Sequence, residues 1–272
     1  MQGIFDSHAH YFDARFAKEY EGGAERLLLE IMPVPVSHVL NVGTDPRTSR
    51  LAIEQALEHE GMYAAVGIHP GDCHYLPDVA QALAEIEAMI ADRETRKANK
   101  IVALGEIGLD YHFDSYGDIP LNRELEMHVF EEQMKMAERH GLPVIIHDRE
   151  AHGDCFETVL RYPNVHGVFH SFSGSAEMGY ELTRRGWYIS FSGTLTFKNA
   201  ERVRAAVRAV PHDRLLVETD APYLAPHPWR GSLNHSGLLI HTLDTLAEQW
   251  GCTPEEACAI TSDNAKKLFG IV

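Results

Sequence analysis

The segment Asp6-Ser7-His8-Ala9-His10 stands at the end of the first apolar run of the chain. On an extended strand, residues two apart share a face at roughly 6.7 Å, so His8 and His10 can chelate one ion, with Asp6 on the same side. Other apolar runs end in the same residue types: Gly105-Glu106-Ile107-Gly108, Ile146-His147, Phe169-His170 and Glu218-Thr219-Asp220. Each has an ordinary reading alone. With 17 histidines in the chain, a strand-end imidazole is as easily a hydrogen-bonded or surface group. Glu106 could be a salt-bridge partner, and Asp220 could cap a turn before Pro222. Gathered at run ends of one kind, these imidazoles and carboxylates point to divalent metal chemistry, because burying so much polarity without a metal is costly.

Three further residues could meet a substrate. His69 follows the third run, Arg149 lies two past His147, and Lys198 follows the seventh run. Each can donate to a phosphate, Arg149 with bidentate geometry; the plain alternative for each is a solvated charge.

Strand-length apolar runs recur at 3–8, 38–43, 63–68, 101–106, 143–147, 165–170, 187–192 and 215–219. Between and after them, helical spacing predicts helices over 25–32, 48–60, 78–92, 121–140, 155–161, 176–185, 200–209 and 238–250. An additional C-terminal helix over 254–269 opens on Pro254, a first-turn position where proline's missing N–H costs nothing. Eight β/α units in about 250 residues match a (β/α)8 TIM barrel, in which strand C-terminal ends converge on one mouth. A doubly wound open sheet is the main alternative, and it would carry a glycine-rich first turn that is missing here. The expectation is one domain over 1–272 with an extra C-terminal helix. The stretch 92–100 reads as a charged surface connection, and 221–237, with its prolines and glycines, as a long loop of the kind that is usually functional or disordered.

The chain has 272 residues, with 24 Lys and Arg against 40 Asp and Glu, a net charge of −16. That balance argues against a broad basic surface coating nucleic acid, though not against a local grip. Apolar residues make up 44% and charged ones 24%, an ordinary globular balance that excludes a disordered or collagen-like chain. Cys73, Cys155, Cys252 and Cys258 are scattered without a C-x-x-C pair, which predicts a reducing, cytoplasmic setting. No apolar run approaches the roughly 18 residues of a membrane span, and no signal segment is read at the N-terminus.

Asp6-Ser7-His8-Ala9-His10, Gly105-Glu106-Ile107-Gly108-Leu109-Asp110, His147-Asp148-Arg149-Glu150-Ala151, His170-Ser171-Phe172-Ser173-Gly174 and Glu218-Thr219-Asp220-Ala221-Pro222-Tyr223-Leu224 resemble, in order and spacing, the signatures of the TatD family of metal-dependent deoxyribonucleases. The family falls among the amidohydrolase-type barrels. The resemblance runs through Asn264 to Lys267-Leu268-Phe269. It implies one divalent ion held by His8, His10, Glu106 and Asp220, and a second held by Glu106, His147 and His170, with Glu106 as the bridge. Two ions about 3.5–4 Å apart can acidify a shared water and stabilise charge on the attacked phosphodiester. Asp220 could orient or deprotonate that water, and Glu218 could be a second base or could hold a ligand in place.

The implied substrate is DNA, short or single-stranded, with no obligate protein partner. Mixed imidazole and carboxylate ligands do not choose among Mg, Mn and Zn. The segment Trp229-Arg230-Gly231-Ser232-Leu233-Asn234 departs from the family's usual run, which carries more basic residues after the glycine and a proline after the asparagine. Two alternatives stand beside the nuclease: a barrel hydrolase cleaving an ester or amide such as an aminoacyl ester on RNA, and a metal-binding protein without turnover. Two ions would add about +4 at the mouth, and Glu106 and Asp220 take back about 2, leaving it locally positive on an acidic chain.

Overall fold

In the computed structural model, which describes residues 1–112 and 114–271, parallel strands follow one another in the order of the chain. The elements are β1 (Ile4–Ala9), α1 (Ala14–Glu19), α2 (Gly23–Ile31), β2 (Val36–Val42), α3 (Pro46–Glu58), β3 (Met62–Val66), α4 (Pro70–Cys73), α5 (Val79–Ile90), α6 (Arg93–Ala98) and β4 (Ile101–Asp110). A short antiparallel hairpin, β5 (Ser115–Tyr116) and β6 (Ile119–Pro120), leads into α7 (Arg123–His140). Then come β7 (Val144–Arg149), α8 (His152–Leu160), β8 (Gly167–Phe169), α9 (Ala176–Arg184), β9 (Tyr188–Phe191), α10 (Glu201–Ala209), β10 (Leu215–Val217), α11 (Leu239–Trp250) and α12 (Pro254–Phe269).

The 8-stranded sheet runs β1-β2-β3-β4-β7-β8-β9-β10, an order that excludes the doubly wound sheet, whose strand order reverses at a switch point. Between β10 and β1 the closure is different in kind. There the Ala9–Ala221 bridge, the His10 amide on the Ala221 carbonyl at 2.7 Å and the Asp220 amide on the His8 carbonyl at 2.9 Å draw the edges together. The Ser7 hydroxyl adds a bond to the Val217 carbonyl at 2.9 Å. The protein is a (β/α)8 TIM barrel with an extra C-terminal helix.

Local chemistry explains the boundaries. Asp45 and Thr48 form a capping box at the start of α3 with Pro46 in its first turn, and Asn122 accepts the Leu125 amide to open α7, which Gly141 closes at φ 61°. The stretch read as a charged connection folds as α6 instead. Asp92 caps it by accepting the Thr95 amide, Glu94 sits in the first turn, and Arg96 and Lys97 sit in the last, so caps and dipole form a helix that buries no side chain. The short helices α1 and α4 likewise lack the apolar periodicity that would have announced them.

β4 runs four residues past its expected end at Glu106, because Gly108 does not turn the chain. At φ 140° it lets β4 slide against β7, where any side chain would collide with the His147 carbonyl. β10 stops two residues short of its expected end: the Glu218 amide still bonds to the Phe191 carbonyl of β9 at 3.2 Å, but the amides of Thr219 and Asp220 turn to Asp6 and to the His8 carbonyl. The 221–237 segment is tied down by Asn234, fully buried, whose amide donates to the Thr219 and Tyr223 carbonyls at 2.9 and 2.6 Å.

Strand alternation divides the apolar residues into two layers. Ile4 faces the helices, while Phe5 faces the barrel interior with Leu40, Ala65, Ile145, Val168 and Leu216. α12 plugs that interior from below. The Phe269 ring lies 6.2 Å from that of Phe5, and the Ser262 hydroxyl accepts the Phe5 amide at 3.2 Å and donates to the Gly3 carbonyl at 2.9 Å. With the N-terminal end sealed, the mouth at the strands' C-terminal ends is left for chemistry. Among the described residues no helix is long and apolar enough to cross a membrane.

Candidate metal centre

Glu106, 3% exposed, lies at the middle of the mouth. Its Oε1 is 2.6 Å from Nδ1 of His147 and 2.7 Å from Nε2 of His170; its Oε2 is 3.3 Å from Nε2 of His8 and 3.7 Å from Nε2 of His10. One carboxylate thus offers an oxygen to each of two imidazole pairs, one from β1 and the residue after it, the other from β7 and the residue after β8. Oδ1 of Asp220, just beyond β10, is 3.4 Å from Nε2 of His10 and 3.8 Å from Nε2 of His8. His8 with His10 and Glu106, Glu106 with His147 and His170, and His8 with His170 and Asp220 each place their ligand atoms within 4.8 Å of one another.

The far side of most of these rings is tied down. Nδ1 of His10 meets the Val42 carbonyl at 2.7 Å, Nε2 of His147 meets Asp110 at 3.3 Å, and Nδ1 of His170 meets Glu218 at 3.2 Å. Such partners fix the ring and turn its other nitrogen toward the centre, as in metal-ligating histidines. His8 is held by packing, its ring stacked on that of His170 at 4.1 Å, and its Nδ1 is buried without a partner among the described residues.

The electrostatics follow from this crowding. Burial opposes charge on Glu106, but His170, His69, His8 and the hydrogen bond from His147 hold its carboxyl well below the usual carboxylate range. Burial likewise opposes a charged His147, and the bonds to Asp110 and Glu106 overcome it, lifting the imidazole to about 9. His170 is raised well above its ordinary value by Glu106 and Glu218 against the cost of burial, whereas His8 is lowered by burial and by His170. Imidazoles that hold protons between buried carboxylates occupy positions where a cation is favoured. Among the described residues no Lys or Arg pairs with Glu106, and mixed nitrogen and oxygen donors suit a divalent ion, so these residues fit a metal.

Two non-glycine residues in the left-handed region lie in or beside the candidate ligands, Ser171 at φ 39° and Asp220 at φ 58°. Such backbone is held only where its surroundings over-determine it. Here the Ser171 amide donates to Glu218 at 2.7 Å and the Asp220 amide to the His8 carbonyl at 2.9 Å.

The structure brings His8, His10, Glu106, His147, His170 and Asp220 together and puts Glu218 behind His170, fully buried. Asp6 is buried but turned away, accepting the His8 and Thr219 amides at 3.2 and 3.0 Å and the Thr219 and Ser236 hydroxyls, both at 2.6 Å. His69 borders the cluster. Its Nδ1 accepts the Gly71 amide at 2.9 Å, its Nε2 is 3.6 Å from Glu106, and burial with the neighbouring His147 lowers it to about 3. A neutral ring whose Nδ1 accepts carries its proton on Nε2, so His69 presents a donor to the mouth. Arg149 is exposed at the end of β7, opposite Asp110 in the ladder; Lys198 is exposed after the turn Gly193–Thr196 and stands on the rim. Sequence reasoning missed Asp110. Its signal was its place four residues past Glu106, on the same face of a strand that continues through Gly108.

A TIM barrel with buried imidazoles and carboxylates around one mouth defines a metal-dependent hydrolase, and comparison with known proteins agrees. The family model described as TatD related DNase matches residues 5–270. The chain belongs to the TatD family of metal-dependent hydrolases. It is 37% identical to the uncharacterized metal-dependent hydrolase YabD of Bacillus subtilis, covering 98% of this chain and 99% of that protein. It is 34% identical to the metal-dependent hydrolase TatD of Mycobacterium tuberculosis, covering 98% of each. The crystal structure of YjjV, a TatD homologue from Escherichia coli, superposes with a TM-score of 0.87 at 27% identity over 99% of this chain and 98% of that one.

Proposed function

We propose that the protein hydrolyses phosphodiester bonds of DNA, taking short or single-stranded substrate, with two divalent ions at the mouth. The observation that carries this reading is the division of Glu106, one oxygen toward His8 and His10 and the other toward His147 and His170. Asp220 completes the first set. Ions held there would supply Lewis acidity, lowering the pKa of a water and offsetting charge on the phosphodiester.

The chain's own residues do the rest. Asp220, whose side chain is 17% exposed against 4% for Glu106, is the carboxylate open to the mouth and accepts the proton of the attacking water. Glu218 and Asp110 hold the rings of His170 and His147 in place. His69 donates a hydrogen bond from its Nε2–H to a phosphoryl oxygen, and Arg149 and Lys198 meet phosphates from the rim.

Elemental analysis beside an assay on single-stranded and duplex oligonucleotides tests the reading. Bound divalent metal and release of nucleotides from a single strand are expected. Glu106→Gln should lower metal occupancy and activity together, and wild-type activity in that variant would remove the two-ion reading. Cleavage of an ester with phosphodiesters untouched would sink the nuclease reading.

A further inference from the structure

Among the described residues, three arginine–aromatic stacks surround the mouth. The Arg123 guanidinium lies 4.2 Å from the ring centroid of Tyr111, that of Arg230 lies 4.2 Å from Phe197, and that of Arg15 lies 5.7 Å from Tyr223. The barrel topology puts all three on the catalytic face. Tyr111 directly follows β4 and Arg123 opens α7; Phe197 follows β9; Tyr223 and Arg230 follow β10; and Arg15 lies in α1, just after β1.

Each stack is also wired to the metal cluster. Tyr111 adjoins Asp110, the partner of His147. The Tyr223 amide bonds to the Asp220 carbonyl at 2.8 Å, and its ring stands edge-on to His10 at 6.5 Å. Phe197 closes the turn entered by Ser192, whose hydroxyl is 2.9 Å from that of Ser171, beside His170.

The stacks are not equivalent. Arg15 is paired with Glu19 at 2.9 Å and donates to the Pro222 carbonyl, so it braces the Tyr223 ring instead of offering a free charge. The Tyr223 hydroxyl donates to Asp13 at 2.9 Å, which pins the ring while leaving the residue 45% exposed beside the ligands. Arg123 and Arg230 are exposed, and among the described residues neither is in an ion pair. Stacking occupies the flat face of a guanidinium and leaves its N–H edge for an anion. Aromatic faces alternating with such cations are the apparatus by which proteins hold a single strand.

We propose that a single DNA strand crosses the mouth between Arg123 with Tyr111 and Arg230 with Phe197, each guanidinium taking a backbone phosphate. A base lies on the Tyr223 ring beside the metal cluster. The inference rests on a DNA strand being what the mouth takes and adds where that strand is held away from the metal cluster.

Binding tests it without relying on turnover. Anisotropy of labelled phosphorothioate oligothymidylates, from two to twelve residues, on the metal-loaded protein should show affinity rising with length. The double variant Arg123→Gln, Arg230→Gln should flatten that rise, weaken the longest strand about tenfold, and reduce its salt slope by about 0.7 for each phosphate that an arginine no longer neutralises. Tyr223→Leu should remove about tenfold of the preference for a thymidine strand over an abasic one, and Tyr223→Phe should keep it. Equal length dependence in wild type and double variant overturns the inference, even if short phosphodiesters are hydrolysed. Normal length-dependent binding with no phosphodiester cleaved would uphold it and sink the nuclease reading instead.

Discussion

Glu218 places Oε1 3.2 Å from Nδ1 of His170, the ring nitrogen opposite the one that meets Glu106. The buried carboxylate therefore turns the ring and enriches its inner nitrogen. A partner of this kind is worth about 10–100-fold in metal affinity. Glu218→Ala should weaken metal binding by that factor in a competition titration with a chelating dye, and Glu218→Gln should fall between, since its amide oxygen still accepts from His170. Normal metal affinity with turnover abolished would make Glu218 a base and not a positioning residue.

Glu126 of α7 predicts a pH effect on stability. It is fully buried, accepts the Asp110 amide at 3.0 Å through Oε2, and keeps Oε1 without a hydrogen-bond partner among the described residues, 3.8 Å from His74. Burial raises its carboxyl from 4.5 to about 7; the hydrogen bond from the Asp110 amide opposes the rise, as do His147 and Arg123, while the Asp110 charge adds to it. Because the folded value lies above the unfolded one, its contribution is intact below pH 4.5 and is lost as pH rises through about 7. Glu126→Gln should therefore gain stability relative to wild type between pH 5 and 8 in denaturant melts. An unchanged difference across that window would show that Glu126 titrates normally.

Phe269 tests the plug. It is 5% exposed and packs on Phe5 in the barrel interior. Phe269→Ala should cost about 3–5 kcal/mol in urea unfolding, a core-cavity penalty. Metal bound per folded molecule should not change, because the candidate ligands lie at the opposite end. A destabilisation below about 1 kcal/mol would mean that the barrel interior is not sealed by α12.

How much of this the sequence disclosed depends on whether the signal was local. His8, His10, His147 and His170 stood out because strand ends carry their residue types in short, countable runs, and the sequential β/α alternation placed those ends together. Asp110 did not, since Gly108 before it has the look of a turn when the neighbouring strand that needs the glycine cannot be seen. Asp6 shared a face with His8 in the alternation, yet its partners Thr219 and Ser236 are more than 200 residues away and turned it elsewhere. The pairing of Arg123 with Tyr111, or of Arg230 with Phe197, was equally hidden, because loops carry no periodicity from which to read a contact. α6 escaped for the reverse reason: its caps were legible, but a helix with no buried face leaves no apolar stripe.

The join between β10 and β1 gives the metal centre a second consequence. Every other neighbouring pair of barrel strands is held by a backbone ladder, whereas this edge depends on one bridge and a few bonds around His8, His10 and Asp220. Those residues also belong to the proposed ligand set, so a bound ion would act as a clasp across the weakest line of the barrel. Chelation would then be a mechanical event as well as a chemical one. Local opening should begin at this line, and amide exchange at His10 and Asp220 should quicken before it does elsewhere in the barrel.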